Sequence, residues 1–140
     1  MNYDLSRFIK AQKEDYQLAL SEIKNGKKES HWMWYIFPQI IGLGMSETSV
    51  YYSIQNIEEA KAFLEDEYLG WNLIEICKAL LSLPVNNAMA IFGSPDDMKL
   101  KSSMTLFNCA SDEEQNIFVE VLNKFFDGNQ DVLTLEILGK

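Results

Sequence analysis

Residues 32–37 read WMWYIF, and the fold class turns on whether they form a strand or a helix. Aromatic and β-branched side chains favour the pleated, half-buried surface of a sheet. A strand needs a partner, however, and a lone one is not stable in water. No other segment alternates convincingly with period two, so the pattern assigns residues 32–37 to a short helix that is capped by Ser30 and ends at Pro38.

Working outward, the remaining segments read as helices. Leu5, Phe8, Ile9, Gln12, Tyr16, Ala19, Leu20 and Ile23 share one helical face, Asp4 can accept from the free amides at its start, and Asn25-Gly26 stops it. Lys24, Lys27 and Lys28 fall near the carbonyl end of that helix, where positive charge is favourable without any binding role. Ser46 before ETSVYYSI, Asn56 before IEEAKAFL with Glu59 following, and Ser111 before DEEQNIFVEVLNKFF with Glu114 following carry the marks of helix starts. Pro95 in Ser94-Pro95 suits a first helical residue and leads into DDMKLKSSMTLFNCA. YLGWNLIEICKALLSL places Leu73, Ile76, Leu80 and Leu83 at helical spacing, NNAMAIFG follows Pro84, and Asp131 opens VLTLEIL. The expectation is an all-α, single-domain orthogonal bundle of about seven or eight short to medium helices. Such a scaffold says nothing by itself about function.

Composition narrows the classes. A chain of 140 residues with 47% hydrophobic content can close one core and is short for two. Twelve Lys and Arg against 21 Asp and Glu leave a net charge of −9, which repels a polyphosphate backbone and an anionic lipid surface alike. Neither a nucleic-acid polymer nor a membrane is expected as a partner. The densest apolar run, residues 32–37, falls far short of the roughly 20 residues of a membrane helix. The opening MNYDLSRFIKAQKEDYQLAL mixes charge into every turn, unlike a secretory signal, so Cys77 and Cys109 are expected as reduced thiols in the cytoplasm.

The segments LSRFIKAQ, YQLALSEIKNGKKESHWMWYIFPQIIGLG, YYSI, EAKAFL, YLGWNL, IFGSPDDMKLKSSMTLF and FFDG, in that order, resemble a bacterial domain-of-unknown-function family numbered 1810. The resemblance spans nearly the whole chain and rests chiefly on the two long blocks around His31 and around Lys99 to Phe107. It implies an all-helical single domain with no established activity. Members sometimes carry an automatic calpastatin label, which carries no weight here: calpastatin is a long disordered inhibitor, whereas this chain is rich in aromatic and apolar residues.

Chemistry-bearing residues gather in two places. His31, the only histidine, can exchange a proton near neutral pH and is the candidate acid or base; the competing role is a hydrogen-bonded residue beside Trp32. Trp32 and Trp34 point different ways round a helix, to pack in the core or to stack a nucleobase or sugar. Gly42 and Gly44 let backbone approach a ligand, and the helix start after Ser46 could receive an anion, though a plain glycine turn explains GLGMS as well. Lys99, Ser102 and Ser103 share a helix face that is either anion-binding equipment or a solvated surface. One histidine and two distant cysteines do not make a zinc shell, so no metal is expected, and no motif calls for a cofactor.

Two functions follow. The first is binding, or turnover, of a small anionic or nucleotide-derived ligand in an aromatic cleft, with His31 as acid or base, Gln39 orienting and Lys99 neutralising charge. It requires His31, Gln39 and the Lys99 to Ser103 face to converge on one partly open cavity walled by Trp32 or Trp34. The alternative is a non-catalytic helical module that binds a protein partner through exposed aromatics.

Overall fold

The computed structural model describes residues 3–140. Among these residues there are nine helices: α1 (Ser6–Lys24), α2 (Met33–Ile36), α3 (Glu47–Tyr51), α4 (Ile57–Glu65), α5 (Glu67–Leu81), α6 (Ala88–Phe92), α7 (Asp96–Ala110), α8 (Ile117–Phe126) and α9 (Val132–Leu138). No strand occurs among them, and a single parallel bridge joins Ile40 to Ile54. The protein is all-α, with one or two more helices than the sequence pattern counts.

The deciding stretch is helical, but its helix is a single turn, Met33–Ile36, and Ser30 does not cap it. Trp32 occupies the N-cap position without a side-chain hydrogen bond. The Ser30 hydroxyl instead donates to the Glu22 carboxylate at 2.5 Å. Elsewhere the expected caps form: Ser46, Asn56 and Asp131 accept from the amides of Ser49, Glu59 and Thr134. The Asp4 carboxylate accepts from the Ser6 amide at 2.9 Å.

Two helix starts differ from expectation. The helix read from Ser111 begins at Ile117, because Asn116 lies directly before the apolar run and its side-chain oxygen accepts from both Phe118 and Val119. Ser111 is left with a 3.3 Å contact to the Glu113 amide in the loop before it. Pro95 precedes α7 rather than opening it, with the Ser94–Pro95 peptide cis and Asp96 the first helical residue.

At the centre lies α7, which packs against α4, α6, α8 and α9. Residues 102–107 are buried in unbroken succession, so this helix faces core on every side. Two of its hydroxyls survive there by turning back on the helix: Ser102 donates to the Met98 carbonyl and Thr105 to the Lys101 carbonyl. A run of aromatic contacts ties α1 to α8, with Phe8 and Phe63 at 5.2 Å, Phe63 and Phe107 at 5.2 Å, and Phe107 and Phe118 at 5.8 Å between ring centres. Each such ring contributes on the order of 2–3 kcal/mol when withdrawn from water.

Polar groups fix the remaining joints. Arg7 on α1 donates to the Ser53 carbonyl and to Glu59 on α4, at 2.9 and 3.2 Å. Lys124 on α8 donates to the carbonyls of Leu80, Leu81 and Leu83, satisfying the end of α5. Asp66 alone separates α4 from α5. Its amide closes the last turn of α4 while its carboxylate accepts from Tyr68 and Leu69 at the start of α5.

Candidate functional site

The loop from α1 to α2, which holds the only histidine, is organised by the buried side chain of Glu22. One carboxylate oxygen accepts from the Glu29 amide, the Ser30 amide and the Trp32 indole at 2.8, 2.9 and 2.9 Å; the other accepts from the Ser30 hydroxyl. Burial alone would raise the Glu22 pKa, but these donors outweigh it and hold the carboxyl down at about 2. Beside it, Lys28 pairs with Asp96 at 2.9 Å, and the same carboxylate meets Lys99 at 3.4 Å. Lys28 also lies 5.0 Å from the Trp32 ring centre.

These contacts place the residues singled out in the sequence. Trp32 is fully buried against Phe37 and Phe92, so its indole is a core group with a satisfied N–H. Trp34 is half-buried under the Lys99 ammonium at 5.2 Å. Trp34, Gln39, Gly42 and Gly44 come together with Ser49 and Tyr52 round a recess of only about 10 Å³, room for a single water. Gly42 turns the chain there with φ +107°, a conformation that favours glycine. The Ser46 hydroxyl caps α3. Ser102 and Ser103 are buried, and the Ser103 hydroxyl has no hydrogen-bond partner among the described residues.

His31 is exposed, its ring makes no hydrogen bond among the described residues, and it does not line the recess beside Trp34. Its carbonyl lies 3.3 Å from the Tyr35 hydroxyl. The structure thus joins Trp34 to Lys99, and Gln39 to the two glycines. It does not bring His31 and the serines of α7 to the same opening, because those serines face the core.

The largest recess described is elsewhere, an open groove of about 820 Å³ at the α4–α5 elbow and the α7–α8 loop. Leu64, Ile74, Ile117 and Phe118 form its apolar walls, and Trp71 stands over it 71% exposed. Glu65, Glu67, Asp112 and Glu113 rim it, with Lys61 the one basic residue in the lining. The amide ends of α5 and α8 that border it are already taken up by Asp66 and Asn116. Gly70 keeps the elbow closed, since an added Cβ would run into the Leu64 carbonyl.

Sequence reasoning missed this groove, although a signal was present. Leu73, Ile76 and Leu80 mark the buried face of α5, and Trp71 lies two positions from Leu73, roughly 200° round the helix. A tryptophan on the outward face of an amphipathic helix is not needed for the core.

An all-helical chain with an open, acid-rimmed apolar groove is the class of protein that this architecture defines. The chain belongs to the family described as protein of unknown function (DUF1810), which it matches over residues 2–138. It is similar to the conserved hypothetical protein Rv1873 from Mycobacterium tuberculosis, whose crystal structure superposes with a TM-score of 0.94 at 41% identity, covering 99% of this chain and 98% of that one. No curated protein matches the chain.

Proposed function

We propose that the protein acts by binding, as a helical module that holds a cationic, partly apolar segment of a partner protein in the Trp71 groove. The observation that carries this reading is the pairing of a largely exposed tryptophan with an apolar floor and a carboxylate rim. Interfaces concentrate their affinity in aromatic anchors set among apolar contacts, with polar groups at the edge. The rim charge selects a basic partner and speeds its approach. An open groove of this kind covers one side of an extended segment, whereas small-molecule sites enclose most of their ligand.

A small anionic ligand near His31 is the weaker reading, because Lys28 and Lys99 already share Asp96 and the recess beside Trp34 holds about one water. The cytoplasm is the proposed setting, supported by two cysteines that are both free, Cys77 buried and Cys109 half-buried.

Tryptophan emission tests the proposal, since Trp71 is exposed while Trp32 is sealed in the core. Titration with a synthetic peptide of alternating lysine and leucine pairs should shift the emission to the blue and saturate. Trp71→Ala should abolish the shift and weaken binding about ten-fold or more, as loss of an interface anchor does. Equal affinity for a glutamate and leucine peptide, or undiminished binding by Trp71→Ala, would overturn the assignment.

A further inference from the structure

A separate recess of about 200 Å³ lies where α1 meets α2 and the end of α3, and none of its lining residues belongs to the Trp71 groove. One side is a single face of α1: Arg7, Lys10, Ala11 and Glu14 follow one another at helical spacing, with Asp15 beside them. Tyr35, Tyr51 and Tyr52 supply the other side. Helix α1 therefore offers the recess a basic end followed by an acidic end. At 1.5 Å per residue the midpoints of the two pairs are about 9 Å apart along the axis.

The basic end is less crowded than it first reads. Arg7 is committed: its guanidinium lies 4.2 Å from the Phe8 ring centre and donates to the Asp4 carbonyl, the Ser53 carbonyl and Glu59. Lys10 is exposed and forms no ion pair among the described residues. It is the cation left for a ligand. At the other end the Tyr35 hydroxyl donates to Asp15, which fixes that carboxylate, while Glu14 stands exposed.

The tyrosines give the acidic end an aromatic wall. Tyr51 and Tyr52 meet edge to face at 4.8 Å and 82°, and Tyr35 and Tyr52 lie 5.0 Å apart at 53°. Aromatic faces carry partial negative charge and attract ammonium groups, alkylated ones especially, since these lose little hydration on contact. Burial first, then Tyr51 and the Glu14 and Asp15 carboxylates, pushes the Tyr52 hydroxyl pKa upward. The two carboxylates themselves give this end of the recess its negative charge.

We infer that the recess binds a small zwitterion of the betaine class, its alkylated ammonium against Tyr51, Tyr52 and the Glu14 and Asp15 carboxylates, its own carboxylate towards Lys10. A recess of 200 Å³ is below the size that drug-like ligands occupy and suits a compact metabolite. A simple cation would leave Lys10 unmatched, and a simple anion would meet two carboxylates.

Calorimetric titration of the whole protein with glycine betaine, choline and acetate tests the inference. Betaine should bind saturably, choline about ten-fold more weakly, and acetate not at all. Tyr51 is 60% exposed, so Tyr51→Ala leaves the core intact; it should lower betaine affinity about ten-fold. Lys10→Ala should erase the preference for betaine over choline. Absence of betaine binding, equal binding of choline, or a Tyr51→Ala variant that binds as tightly as the parent would each overturn the proposal. Trp71→Ala should bind betaine normally, which keeps this recess separable from the groove.

Discussion

Glu22 shows how much one side chain settles. Its four donors lie on residues 29, 30 and 32, so a single carboxylate pins the loop that leads into α2, and Ser30, the cap that the sequence assigns to that helix, gives its hydroxyl to Glu22 instead. Nothing in a linear pattern pairs an acid at 22 with an indole at 32, because that contact depends on the chain reversing at Gly26. Glu22→Gln should cost about 2 kcal/mol at neutral pH, after allowance for solvent screening. Because the folded pKa is depressed, this stabilisation is complete above the ordinary glutamate range and vanishes as pH falls towards 2. Denaturant unfolding of the two proteins at a series of pH values should show their difference closing between about pH 4.5 and 2. Ser103 makes the converse case. Its hydroxyl is fully buried without a partner among the described residues, so Ser103→Ala should raise stability by about 1 kcal/mol in the same measurement.

Among the elements, helix existence was legible and helix chemistry less so. Apolar spacing and cap residues located the helices, since both act within a few residues of sequence. The start of α8 was misplaced because Ser111 and Asn116 are both competent caps, and only the packing of Phe118 and Val121 into the core selects the second. Asn116→Ala should lower stability by about 1 kcal/mol in thermal unfolding, while Ser111→Ala should stay within about 0.5 kcal/mol. Ser102 and Ser103 could be read as polar surface because composition reports neither which way a helix faces nor that a hydroxyl such as that of Ser102 can bond its own helix carbonyl and so enter the core. That is why Lys99, Ser102 and Ser103 looked like one anion-binding face. Lys99 remains at the boundary, over Trp34, and the serines turn inward.

For the whole molecule, the all-helical class followed from local signals, whereas both recesses arise from residues far apart in the chain. The groove joins Leu64 and Trp71 to Ile117 and Phe118, and the tyrosine recess joins Lys10 and Glu14 to Tyr51. Such sites depend on which helices become neighbours, a matter that periodicity does not reach. One joint bears on how the groove would be used. Asp66 is at once the last link of α4 and the first of α5, and Gly70 presses its backbone against Leu64. With no slack residues between the two helices, that wall is preorganised before any partner arrives. On that side of the groove the entropy lost on complex formation then falls chiefly on the incoming segment and the Trp71 side chain, and a partner of the wrong shape meets a backbone that does not remould to receive it.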